Sequence, residues 1–219
     1  PIVERSELID KTSSTIFENL ILGCIIIVFV VILFLGNMRA ALVIASIIPL
    51  SLLFTISLMY ILGIDANLMS LGALDFGIII DGAVIIVEFI AIKITAKQSD
   101  FDAAQGKQKQ KLLDKITFHG ASKMINSAIF GQIIILIVLI PILTLSGVEG
   151  KMFRPMALTF SFAILGAMIL GFTWLPVASS LFLKPEKEKK RSLTKWIMNI
   201  IYRSYDPVIK WAYDHKSII

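Results

Sequence analysis

The stretch from Leu68 to Ile94, LMSLGALDFGIIIDGAVIIVEFIAIKI, limits what this chain can become more than any other. It is long and apolar enough to cross a bilayer, which takes about 20 largely apolar residues. Yet Asp75, Asp81 and Glu88 lie inside it. A charged residue at the centre of a membrane helix costs roughly 2.5–3.5 kcal/mol on insertion scales. Three carboxylates on one span oppose insertion unless they are neutralised, paired or turned to a wet cavity. A helix with only a structural task would lose them.

The composition agrees with a membrane setting. Of the 219 residues, 57% are hydrophobic, against about 45–50% in soluble domains, and mean hydropathy is +0.85. The net charge is +5, with the basic residues clustered after Ile94 and after Leu183. That distribution follows the positive-inside rule and argues against a nucleic-acid partner. The single cysteine, Cys24, sits in an apolar run and cannot form an internal disulfide. His119 and His215 are the only histidines, and no cluster has soft-metal ligand spacing. No nucleotide loop, nucleophile elbow or metalloprotease motif is present, and no cofactor is implied.

Taken in order, the chain reads as an all-α membrane protein: a bundle of five transmembrane helices plus a cytoplasmic interfacial amphipathic helix. Residues 1–18 form a short helical lead-in at the membrane surface on the periplasmic side. The spans are expected at about 19–36, 40–64, 67–94, 124–145 and 156–183, with Pro49, Pro141 and Pro176 inside the second, fourth and fifth. Asp65 can cap the third span. The polar segment Thr95–Lys123 carries Lys97, Lys107, Lys109, Lys111, Lys115 and Lys123, whereas the loop Ser146–Pro155 has only Lys151 and Arg154. Counting basic residues by side puts the N-terminus outside and the C-terminus in the cytoplasm. Residues 184–216 form a basic cytoplasmic segment in which Leu193, Trp196, Ile197, Ile200 and Ile201 recur at helical steps, the pattern of a helix lying on the leaflet. Residues 217–219 resemble the start of a further, truncated span, and a fragment is expected.

On an ideal helix Asp81 and Glu88 lie within about 20° of each other and roughly 10 Å apart along the axis, while Asp75 is about 120° from Asp81. Intramembrane carboxylates face a bundle interior or wet cavity and commonly serve proton relays. Asp81, nearest the middle of the span, is the principal candidate. Glu88 is its partner on the same face, and Asp75 looks toward a different neighbour. Ala73 and Gly77 on this span, and Ala163, Ala167 and Gly171 on the fifth, are small-residue stripes that let helices approach closely.

These residues carry a resemblance. GALDFGIIIDGAVIIVE at Gly72–Glu88 resembles the fourth transmembrane helix of heavy-metal efflux pumps of the resistance-nodulation-division superfamily. PILTLSGVEGKMFRPMALTFSFAILGA at Pro141–Ala167 is similar to that family's stretch from the fifth into the sixth helix. ERSELID at Glu4–Asp10 and FLGNMRAALVIASIIPLSLL at Phe34–Leu53 agree more weakly, and in the family's order. The resemblance implies helices two to six of a proton-driven exporter of metal cations, not an enzyme, in the inner membrane of a Gram-negative cell. It implies a homotrimer that engages a periplasmic adaptor and an outer-membrane channel in its full-length form. Asp81 then matches the central proton-relay aspartate, and Asp75 and Glu88 match two further acidic positions of the divalent-cation branch, which favours zinc, cobalt, nickel or cadmium. No metal-binding residue is assigned. Phe89 stands where the family usually has Asn, and the family's relay lysine belongs to a late helix outside this chain.

Other readings are a non-transporting truncated assembly module and a drug or lipid exporter of the same superfamily. An intramembrane aspartyl protease would need a second aspartate on another span facing Asp81. Asp65 and Asp206 fall at or beyond the membrane edges.

Overall fold

The computed structural model describes residues 5–64, 76–103, 106–185 and 193–214, and all regular structure among them is helical. The helices are α1 (Arg5–Leu35), α2 (Met38–Ala45), α3 (Ile47–Leu62), α4 (Phe76–Ala96), α5 (Gln98–Ala103), α6 (Lys107–Leu143), α7 (Gly147–Phe182) and α8 (Leu193–Asp214). Met38–Leu62, taken across α2 and α3, is long and apolar enough to cross a membrane, as are α6 and α7. Within α1 the apolar part is Ile21–Leu35. The chain is an all-α membrane protein.

Local chemistry sets the breaks. α1 ends where Gly36 adopts φ +67°, a backbone region that costs glycine nothing. Asn37 then caps α2, its side-chain oxygen accepting from the N–H groups of Arg39 and Ala40 at 2.9 and 3.2 Å. The second expected span is two helices, interrupted at Ser46, three residues before Pro49. Proline offers no N–H to the carbonyl one turn back. The Ser46 hydroxyl steadies the junction by donating to the Val43 carbonyl at 2.7 Å. α3 closes in a Schellman arrangement on Gly63, φ +64°: Ile64 N–H donates to the Met59 carbonyl and Gly63 N–H to that of Tyr60.

Two stretches read as connections are largely helical. The segment Thr95–Lys123 contains the end of α4, the short α5 and the first turns of α6. Lysine, glutamine and leucine, which fill the start of α6, are all good helix formers. The stretch Ser146–Pro155 is helical from Gly147, with Glu149 in the first turn of α7, where a carboxylate favours the helix dipole. Pro155 is absorbed within α7, and the Thr159 hydroxyl donates to the Pro155 carbonyl at 2.8 Å.

α7 is the hub. It packs against α2, α3, α4 and α6, and α4 in turn packs mainly against α6 and α7. Between helices already in lipid, burying apolar surface gives little drive, so close fit of small residues does more of the work. Accordingly α7 buries Ala157, Ala163, Gly166, Ala167 and Gly171. A β-carbon at Gly166 would stand 2.7 Å from Cδ1 of the Phe54 ring on α3. Polar pins cross the same interfaces. The Trp174 indole N–H donates to the Ser46 hydroxyl at 2.9 Å, and the Gln110 amide donates to the Ser180 carbonyl at 3.2 Å. Ile44, Ile47, Ile79, Ile86, Ile90 and Leu175 fill the core, and Ile164 is fully buried.

The outer surface is apolar. In α6 only 11% of the most apolar window is buried, against 50% for Met38–Leu62, and Ile134, Ile137 and Val138 are exposed. A patch of this kind is rare on a soluble monomer and ordinary against lipid or further helices. α8 touches α1. The side chains of Leu193, Trp196, Ile197 and Ile200 lie outside the described residues, while Ile201, Tyr205 and Val208 form an exposed apolar row.

Candidate functional site

α4 runs from Phe76 to Ala96 and divides lengthwise into two surfaces. One is packed: Ile79, Gly82, Ala83, Ile86, Val87, Ile90 and Ile94 are buried. The other is a stripe of Asp81, Ile85, Glu88 and Ile92, all exposed, spaced four, three and four residues apart as one helical face requires. Asp81 and Glu88 therefore project from the same side. Asp75 lies outside the described residues, as do Asp65 and His215.

The sequence reading set Asp81 toward a bundle interior or a wet cavity; within this chain its side chain is exposed. The reason is the residue beside it. Gly82 and Ala83 are small enough to accept neighbouring helices, so α6, α7, α2 and α3 gather on that side. The carboxylates are carried round to the opposite one.

The packed face carries a polar contact that the sequence did not reveal. Gln132 of α6 is buried at 4% exposure. A β-carbon at Gly82 would meet its side chain at 2.9 Å from Nε2 and 3.1 Å from Cδ. An amide is thus held directly against the backbone of the residue that follows Asp81. The signal was the Asp81-Gly82 pair itself, since a glycine in a helix interior lowers helix propensity and so points to a close approach.

Two other contacts fix the ends of α4. At its start a β-carbon at Gly23 of α1 would lie 2.5 Å from Cδ2 of Phe76. Near its end the ring of Phe89 receives two ammonium groups, Lys93 Nζ at 5.3 Å and Lys123 Nζ at 5.8 Å from its centroid. Both lie within cation–π range. Lys93 follows Phe89 by four residues, so that half of the arrangement is legible from helical spacing. The half contributed by Lys123 on α6 is not. Lys93 also lies in the last turn of α4, where a cation suits the helix dipole.

Among the described residues no group of three or more His, Cys, Asp or Glu side chains is placed to hold a metal ion. What α4 offers is a pair of carboxylates about two turns apart on a helix held rigidly along its other side.

The whole chain, residues 1–219, matches the profile of the AcrB/AcrD/AcrF family. It is 43% identical, over 100% of its length, to the cobalt-zinc-cadmium resistance protein CzcA of Cupriavidus metallidurans, of which it covers 20%. It is 40% identical, over 97% of its length, to the nickel-cobalt-cadmium resistance protein NccA of Alcaligenes xylosoxydans xylosoxydans, of which it covers 19%. Among solved structures, a crystal structure of a heavy metal efflux pump superposes with a TM-score of 0.64 at 34% identity, over 83% of this chain and 16% of the other. The chain thus spans about a fifth of the length of the curated relatives it matches.

Proposed function

The chain belongs to the AcrB/AcrD/AcrF family, and on that premise we propose that it is transmembrane machinery of a proton-driven exporter of divalent heavy-metal cations. The observation that carries the reading is the division of α4: one face locked against α6 and α7, the other presenting Asp81 and Glu88. The names of the relatives, cobalt-zinc-cadmium and nickel-cobalt-cadmium resistance proteins, support a divalent cargo.

In this reading Asp81 is the proton carrier. Its ionised form is costly at bilayer depth, so it is retained only while a cation or water faces it. Protonation removes the charge and lets the helix settle against a drier neighbour. Because the other face of α4 is packed, such a change is passed to α6 and α7 as a movement of the whole helix rather than a local rotation. Glu88, about 10 Å along the axis, is the next station on the same stripe, toward the cytoplasmic end. Asp75 is assigned to the same relay on the strength of its place in the sequence motif. The five spans run with the N-terminus periplasmic and the basic segments cytoplasmic, in the inner membrane of a Gram-negative cell. α8 lies along the cytoplasmic leaflet. A homotrimer joined to a periplasmic adaptor and an outer-membrane channel is the assembly in which this stretch works.

The test is Asp81→Asn within a full-length pump reconstituted in vesicles. Asn keeps the size and removes the titratable proton, so zinc-dependent proton flux falls to background. Flux at the wild-type rate would overturn the proposal.

A further inference from the structure

Past Glu88, the end of α4 meets α6 at a cavity of about 440 Å³ whose lining includes Lys93 from α4, Lys97 just beyond its end, and Lys115, His119, Ile116 and Gly120 from α6. Lys115 and His119, four residues apart, project from a single face of α6, while Lys93 comes from the last turn of α4 and Lys97 from the turn that follows it. Gly120 lets the helices close: a β-carbon there would stand 3.1 Å from Cγ1 of Ile90. The result is three ammonium groups and an imidazole around one space.

Among the described residues no acidic side chain lines this space. Asp102 accepts from the Gln98 amide at 3.3 Å, and Asp114 accepts from the Gln110 amide at 2.9 Å. Among the described residues, Lys97 and Lys115 form no ion pair within the chain. Lys93 extends the cationic surface toward Lys123 through the Phe89 ring they share. Like charges brought together in this way repel unless an anion lies among them.

Depth identifies the anion. α6 has 37 residues, about 55 Å of helix, whereas the hydrocarbon core is about 30 Å thick. Its apolar part follows Lys123, so its lysine-bearing start projects beyond the hydrocarbon. His119 and Lys115 then lie about 6 and 12 Å past Lys123 along the axis, at and just beyond headgroup level. The wall between them is apolar at Ile116. Basic pockets between membrane helices on the cytoplasmic side suit anionic headgroups.

We propose that this cavity binds the phosphate of an anionic glycerophospholipid of the cytoplasmic leaflet, with Lys93, Lys97, Lys115 and His119 as its donors. The proposal needs the membrane orientation given above but not the transport activity. Lipid binding can fail while proton flux persists, and the reverse.

The experiment measures binding of short-chain phosphatidylglycerol to this chain in a neutral detergent by native mass spectrometry, with short-chain phosphatidylcholine as the reference lipid. Phosphatidylglycerol binds in preference, and Lys97→Gln with Lys115→Gln weakens it at least tenfold. Lys107→Gln with Lys111→Gln removes the same charge from the same helix region outside the cavity and changes binding less than threefold. Lys97→Arg with Lys115→Arg retains binding, which separates loss of charge from loss of fold. Competition by glycerol 3-phosphate decides the source. If it displaces the lipid, the phosphate ester alone is recognised; if it does not, the site belongs to the membrane lipid. Equal phosphatidylglycerol binding by wild type and the Lys97/Lys115 glutamine variant would overturn the proposal, and so would equal loss in both glutamine variants.

Discussion

The middle of α4 and its basic end carry opposite charges in opposite surroundings. Asp81 and Glu88 stand exposed on the stripe away from α6 and α7, while Lys93 and Lys97 line a cavity whose other wall is α6. In the proposed membrane placement the difference follows from depth. A cation at a helix end can extend its long side chain to the interface, so lysines are cheap there and two helices can share them. A short carboxylate at mid-span cannot reach water on its own. It is kept where something other than the packed core meets it. In this chain the acidic stripe faces outward, whereas the basic cavity is built between the chain's own helices.

The comparison can be broken most sharply at the carboxylates. Within a full-length pump, Glu88→Gln reduces zinc-driven proton flux in vesicles, but less completely than Asp81→Asn, because Glu88 is farther than Asp81 from the centre of the expected span 67–94 and water can substitute for it. Equal loss in both would erase the distinction between centre and end.

The packed face gives the next effect. Gly82→Ala forces a β-carbon against the buried Gln132 side chain, and overpacking of this kind costs about 1–3 kcal/mol. Thermal unfolding in detergent reads this as a lower transition. Ile85→Ala, on the exposed stripe, changes stability within about 0.5 kcal/mol. If the two variants are equally stable, α4 does not have one packed and one open face.

A smaller effect is expected at the α7 junction. Trp174→Phe removes the 2.9 Å hydrogen bond to the Ser46 hydroxyl and keeps most of the ring. The loss is about 0.5–1.5 kcal/mol, measured in the same unfolding assay, with proton flux unchanged.

Much of this architecture was legible in the residues. The apolar runs gave the helices, Gly36-Asn37 the first junction and Gly63 the end of α3, each through a backbone preference that acts locally. The interruption at Ser46 was not expected, because Pro49 was read as absorbed inside one continuous span. The helical character of 147–155 was hidden because Gly147 and Pro155 read as loop residues, although proline is tolerated within α7 and glycine sits at its very start. At the site, spacing alone set Asp81 and Glu88 on one face. It could not say which face would be covered, because that depends on where α6 and α7 dock. Gly82 pointed to a close approach, but that Gln132 would make it, and that Lys123 would lie over Phe89, was not legible for the same reason: register between separate helices is not written in either one. Asp75 belongs to a motif read in the sequence and lies outside the described residues.

The central claim is that Asp81 gains and loses a proton as metal is moved. Difference infrared spectroscopy of a full-length pump in vesicles, recorded on adding zinc, tests it directly. The account predicts a change in a protonated-carboxyl band that is missing from Asp81→Asn and present in Glu88→Gln. An unaltered band in Asp81→Asn would contradict it.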